Sequence, residues 1–182
     1  MKFKALMLTL VLLLPGCLDS EGEEIRFNGR NLEGSDVYMF TLEDSKGPLW
    51  NLTEQEGKVV VLAFIFTRCD NTCPVTSQNL KVVYESLTED ELTKVSFVSV
   101  TVDWRHDSPS ELNNWSDRMG YDWPHLTGAK QALDPVYENY GVFPVEQGDD
   151  SDEGYTVAHP SPTYIIDSNL KGRVVWGQLR DG

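Results

Sequence analysis

One run of residues constrains this chain more than any other: KVVVLAFIF at 58–66, which carries no polar side chain after its first lysine. Its β-branched and aromatic content, its length and its lack of alternation mark a strand buried on both faces. Such a strand needs a layer on each side, which places the chain among α/β folds. KVSFVSVTVD at 94–103 reads as a second strand of the same kind. Between the two, Pro74 suits a first helical position and Val75, Leu80, Val83 and Leu87 follow near helical spacing. A second helix is expected in SPSELNNWSDRMG, with Ser108 as N-cap, Pro109 in the first turn, Glu111 closing a capping box and Gly120 as terminator. AKQALDPVYENYG gives a further short helix around Pro135. VYMFTLED and GPLWNL read as an N-terminal β-hairpin turning at 44–47, and PTYIID and GRVVWGQL as a hairpin turning at 167–172. The predicted order is thus β–β, β, α, β, α, α, β, β, an α/β domain with a central mixed sheet flanked by helices and right-handed crossovers.

The first buried strand runs directly into Cys69 and Cys73, separated by Asp70, Asn71 and Thr72 at the start of a helix. A buried strand leading into a cysteine pair at a helix N-terminus resembles the thioredoxin arrangement. With Cys73 directly before Pro74 and therefore at the N-cap, free N–H groups and the helix dipole favour thiolate. Thiolates are nucleophiles and soft metal ligands alike, so disulfide exchange, a structural bridge and metal binding all stand at this point. The loop is one residue longer than a redox C-x-x-C. It allows both sulfurs to face one point, and two soft sulfurs suit Cu(I). Structural zinc wants four protein ligands, more than two thiolates supply. A metal site needs a further donor, and the histidines are His106, His125 and His159. His159, just before the PTYIID strand, stands on the loop expected to face the cysteine pair. His106, after the second buried strand, is the runner-up. His125, beside Trp123 and Pro124, reads as structural.

The N-terminus supplies an address. Lys2 and Lys4 precede an apolar stretch at 5–14 that is too short for a comfortable membrane span and ends in LPGC. Residues 1–16 read as a lipoprotein signal peptide, with Cys17 as the lipidated first residue of the mature chain. Residues 17–36, polar and Gly-rich, read as a tether, and 37–182 as the domain. Export permits a disulfide between the two remaining cysteines. The net charge of −14, made two more negative by loss of Lys2 and Lys4, repels nucleic acid, so no nucleic-acid partner is expected.

Three separated segments, LAFIFTRCDNTCPVTSQNL, VSVTVDWRHDSP and His159 eight residues before Asp167, together resemble the Sco/SenC family of copper-binding cytochrome oxidase assembly proteins. The resemblance covers about residues 36–177. It implies a thioredoxin-like fold on the outer face of the cytoplasmic membrane, held here by the lipid on Cys17. It implies copper, as Cu(I) or Cu(II), on Cys69, Cys73 and His159. It also implies assistance in assembling the dinuclear copper centre of a haem–copper oxidase, whose copper-accepting subunit is the partner, by a protein that is not an enzyme. Some members reduce disulfides at that site, so a thiol–disulfide oxidoreductase acting on exported proteins through a redox-active Cys69 and Cys73 is the alternative. Asp103 matches the family's acidic position behind the metal, though it also suits a strand cap. Asp70 and Trp104 stand where the family has proline, and Pro160 where it has Ser or Thr. The chain stops at GQLRDG, where the family continues into a C-terminal helix, which is therefore expected to be missing.

Overall fold

A computed structural model describes residues 28–69, 72–148 and 154–177, with the backbone alone at 72–74. In chain order the elements are β1 (Arg30–Asp36), β2 (Thr41–Asp44), β3 (Leu49–Asn51), a 3-10 turn (Leu52–Gln55), β4 (Val59–Ile65), α1 (Thr72–Ser86), α2 (Glu89–Leu92), β5 (Val95–Thr101), α3 (Pro109–Met119), β6 (His125–Thr127), α4 (Lys130–Asn139), β7 (Val145–Gln147), β8 (Thr156–Ala158), β9 (Thr163–Ile166) and β10 (Lys171–Trp176). Eight strands form one mixed sheet in the order β1-β10-β9-β4-β5-β6-β2-β3, and β7 and β8 form a separate hairpin. The apolar run at 58–66 becomes β4 at the centre, parallel to β5 and antiparallel to β9.

Both faces of β4 are covered, as its sequence requires. Val61 pairs with Phe97, so the two share a face. On that face a chain of rings runs from Tyr84 of α1 through Phe97 and Trp123 to Tyr121 and Trp115 of α3. Phe64, three residues from Val61, points to the opposite face and meets Tyr140 at the end of α4, with ring centroids 5.8 Å apart. Tyrosine hydroxyls fasten that layer to the main chain. Tyr137 donates to Thr101 O at 2.7 Å, Tyr140 to Tyr38 O at 2.9 Å and Tyr164 to Tyr140 O at 2.8 Å. Burial accordingly pushes all three phenols above their ordinary pKa. This is the thioredoxin-like layering expected from the sequence.

Several expectations are corrected. Part of the segment read as a tether, Arg30–Asp36, is edge strand β1 paired antiparallel with β10. Its side chains are mostly exposed, which is why it carries no apolar signal. The first hairpin strand is shorter than expected: residues 37–40 lie outside β2, although Phe40 is buried in the core. Helix α1 starts at Thr72, so Cys73 lies in its first turn and is not its N-cap, and Pro74 is the third helical residue. In α3, Ser108 caps by accepting from Glu111 N, but the Ser108 N–H donates to His106 O at 3.0 Å, so the reciprocal half of the box is replaced. A full capping box stands at Thr88 and Glu91 of α2, which the sequence reading passed over. Cys17 and the expected signal and tether up to residue 27 lie outside the described residues, as do 178–182.

Candidate metal centre

In an open α/β sheet, ligands bind beyond the carboxyl ends of the parallel strands. There the chain leaves β4 through Phe66, Thr67, Arg68 and Cys69, and leaves β5 through residues 102–107. The two exits are tied together. Val102 N–H donates to Ile65 O at 2.8 Å. One step further out, Asp107 takes over: its carboxylate accepts from Thr67 N–H at 3.2 and 3.3 Å, from the Thr67 hydroxyl at 2.6 Å and from the Thr101 hydroxyl at 2.5 Å. Asp107 is fully buried. Burial raises its pKa to about 6, with the threonine bonds pulling it down and the neighbouring Asp103 adding to the rise.

Asp103 is also buried. Its N–H donates to Thr101 Oγ1 at 2.9 Å, and its carboxylate accepts from His106 Nδ1–H at 2.9 Å and from Tyr155 OH at 3.0 Å. Tyr155 precedes β8, so this bond fastens the arm that carries His159. The His106 ring packs edge-on against Tyr155 at 4.5 Å, and the Arg68 guanidinium lies 5.7 Å from the Tyr155 centroid. Tyr155 therefore joins all three segments around the site: the Cys69 turn, the loop after β5, and the arm before β9. Asp103 is engaged with His106 and Tyr155, and His106 has its Nδ1 committed to that carboxylate.

His159 follows β8 directly and is half-buried. Its Nδ1–H donates to Pro160 O at 2.7 Å, so the remaining lone pair is on Nε2. Burial pushes its pKa below the ordinary histidine range, partly offset by the Pro160 bond, which keeps the ring neutral and able to ligate. The ring meets Phe66 edge-on at 5.7 Å, and Phe66 is on the same exit segment as Cys69. Cys69 is half-buried and packs against the core. The segments of Cys69 and His159 are thus adjacent. Cys73 lies on the first turn of α1, with its side chain outside the described residues. Among the described residues no cluster of three or more His, Cys, Asp or Glu is assembled to hold a metal. A neutral imidazole with a directed lone pair, beside a segment bearing one thiol and leading to a second at a helix start, is chemically a soft-metal donor set.

His125 lies elsewhere, on β6, with no exposure, caged by Trp115, Tyr121 and Trp123 at ring separations of 5.4, 6.3 and 5.5 Å. Among the described residues, neither ring nitrogen has a hydrogen-bond partner. Burial, and secondarily Lys46, lower its pKa to about 4. It belongs to the core, as its neighbours in the sequence suggested.

The sequence reading missed Thr67, Asp107, Tyr155 and Phe66. Asp107 stood directly before the Ser108–Pro109 cap and drew no separate notice. Tyr155 directly follows the acidic loop at 146–154, and nothing local in the sequence marks its pairing with Asp103.

A family model described as SCO1/SenC matches residues 31–177. An "SCO2-like protein" of Rickettsia felis is 31% identical over 133 residues, covering 72% of this chain and 64% of that protein. Mouse "Protein SCO2 homolog, mitochondrial" is 28% identical over 128 residues, covering 70% of this chain and 50% of that one. The chain thus spans under two thirds of the length of these curated relatives. Among solved structures, apo Sco1 protein from Thermus thermophilus superposes with a TM-score of 0.72 at 26% identity, over 85% of this chain and 89% of that one. ScoI of Bradyrhizobium japonicum, solved with copper bound, superposes with a TM-score of 0.71 at 22% identity, over 78% of this chain and 89% of that one.

Proposed function

The chain belongs to the SCO1/SenC family, and from that premise we propose that it is an extracytoplasmic copper chaperone that binds copper through Cys69, Cys73 and His159. The observation that carries this reading is the placement of His159: its ring packs against Phe66 on the segment that leads to Cys69, and the Pro160 carbonyl takes the Nδ1 proton, so Nε2 is the nitrogen that would ligate. The copper bound to the Bradyrhizobium relative supports the same choice of metal. Copper is cargo here. Loading displaces the two thiol protons and uses the neutral imidazole, so affinity falls as pH falls.

The acceptor in this reading is the copper-accepting subunit of a haem–copper oxidase, whose dinuclear centre the protein helps to assemble. A lipid on Cys17 holds it to the outer face of the cytoplasmic membrane. Among the described residues no helix is long and apolar enough to cross a membrane. An acyl anchor gives membrane affinity that grows with each buried CH2, and stable anchoring takes more than one chain. Mass spectrometry of the native protein tests this: diacylated Cys17 at the N-terminus is expected, and an unmodified N-terminus downstream of Cys17 refutes it.

The same pair supports the oxidoreductase alternative. Two thiols become a disulfide with release of two protons and two electrons, which an oxidised dithiol of an exported protein accepts. Copper and disulfide are then mutually exclusive states of one site. Anaerobic titration of the reduced protein with Cu(I) and Cu(II) separates the readings. One copper per chain, weakened in His159→Ala with a changed Cu(II) spectrum, is expected. An unchanged spectrum in that variant would move the nitrogen ligand to His106. A reduced protein that ignores copper and turns over disulfides would replace the chaperone with the oxidoreductase.

A further inference from the structure

We propose that Asp107 is a positioning residue for Cys69, holding the turn that presents this sulfur through its bonds to Thr67. This deepens the copper reading of the site and rests on it for the ligand, though not for the effect on the thiol. Thr67 is two residues before Cys69 and one residue past the end of β4 plus Phe66. Its N–H is beyond the β4–β5 ladder, whose last pair is Ile65 with Thr101. A backbone N–H at that point needs an acceptor. Asp107 supplies it, and the same carboxylate takes the Thr67 and Thr101 hydroxyls.

Three donors converge on this side chain: the Thr67 N–H and the Thr67 and Thr101 hydroxyls. A carboxylate accepts all three with its two oxygens, whereas an amide keeps one acceptor oxygen and its NH2 is met only if a threonine hydroxyl turns round to accept. The anchor itself is rigid. Asp107 N–H donates to Asp103 O at 2.9 Å, and Ser108 follows at once as the N-cap of α3. The Cys69 turn is therefore referenced to a helix start and to the end of β5.

The choice is costly for the fold. Burial raises the Asp107 pKa to about 6, so the folded chain carries a desolvated negative charge at neutral pH, with no cation hydrogen-bonded to it among the described residues. A buried charge that works against stability, and whose bonds end two residues from a proposed ligand, points to a geometric task. Tyr155 and Asp103 perform the corresponding fastening for the His159 arm. The loop after β5 thus references both sides of the site.

The test uses Asp107→Asn and Thr67→Val in the full chain, with Trp123→Phe as a control that loses a buried hydrogen bond away from the site. Two readouts are taken under conditions where circular dichroism shows each protein folded. One is the alkylation rate of Cys69 by iodoacetamide at fixed pH in a Cys73→Ser background, with no metal present. The other is the affinity and spectrum of the copper complex, using copper alone. Loss of a residue that orients a ligand typically weakens metal binding by about 10–100-fold. Both site variants are expected to show a loss of that order, an altered spectrum and a shifted alkylation rate, while Trp123→Phe matches the parent in both. Site variants that lower the melting temperature but keep the parent's alkylation rate and spectrum overturn the proposal, leaving Asp107 a structural residue. If Asp107→Asn does not fold, Thr67→Val decides by the same criteria, since it removes one hydroxyl donor and keeps the N–H. If the parent binds no copper, the alkylation arm still decides the positioning role and only the copper reading falls.

Discussion

Replacing His125 with phenylalanine should change how the protein's stability depends on pH, by an amount that follows from its surroundings. His125 is fully buried, its ring nitrogens have no hydrogen-bond partner among the described residues, and its pKa is lowered from 6.5 to about 4, chiefly by desolvation. The folded value is below the unfolded one, so on acidification the unfolded chain takes up the proton first. Stability from this group is complete above pH 6.5 and drains as pH falls toward 4. At about 1.4 kcal/mol per pH unit of that gap, the loss is about 2 kcal/mol by pH 5 and about 3 kcal/mol by pH 4. Asp107 acts in the opposite direction. Its raised pKa means that the folded chain binds a proton first between about 6 and 3.8, which adds stability over nearly the same window. The wild-type curve alone therefore hides both effects. The difference between His125→Phe and wild type isolates the histidine, because Asp107 is common to both. Urea unfolding followed by tryptophan fluorescence suits the measurement, since Trp115 and Trp123 flank the ring. At pH 7 the variant should match or exceed wild type by about 1 kcal/mol, because two unpaired nitrogens leave the core. Its advantage should then grow by about 3 kcal/mol down to pH 4. A difference that stays constant across that range would show that the folded protein accepts the proton near the ordinary histidine value, and would refute the reasoning.

Two further outcomes follow from close packing. Gly177 adopts φ 97°, and a Cβ there would lie 2.7 Å from Ser161 O and 3.3 Å from Pro162 Cα. Gly177→Ala should cost about 1–3 kcal/mol in urea unfolding, and because Ser161 is two residues beyond His159 it should weaken copper binding as well. Trp123→Phe removes the indole N–H bond to Ser99 Oγ at 2.9 Å and leaves a buried hydroxyl unpaired. It should cost about 1–3 kcal/mol in the same assay.

The parts of the fold that could be read from the sequence are those whose burial leaves a pattern. The continuous apolar run gave β4, the parallel partner β5 followed from the second run, and Ser108, Pro109 and Gly120 marked both ends of α3 where the structure has them. Elements whose stability comes from their neighbours left no such trace. Strand β1 is polar and exposed and exists because β10 offers a free edge. Strand β6 is three residues long, and its first residue is a histidine that only the aromatic cage makes apolar in effect. The β7–β8 hairpin lies in acidic sequence and is fastened by Tyr155 and by Arg105 with Glu146 at 3.3 Å. The candidate site divides in the same way. Cys69 and His159 could be chosen by residue type and position. The Asp107 clamp on Thr67 spans 40 residues and the Tyr155 bond to Asp103 spans 52, and no local spacing encodes either.

The central claim is the donor set, and X-ray absorption at the copper edge reads it most directly. The reduced full-length chain, loaded anaerobically with one equivalent of Cu(I), should show two sulfur scatterers and one imidazole nitrogen, and His159→Ala should lose the nitrogen while both sulfurs remain. A copper site built only from oxygen and nitrogen, or one whose imidazole signal survives in His159→Ala, would contradict the account.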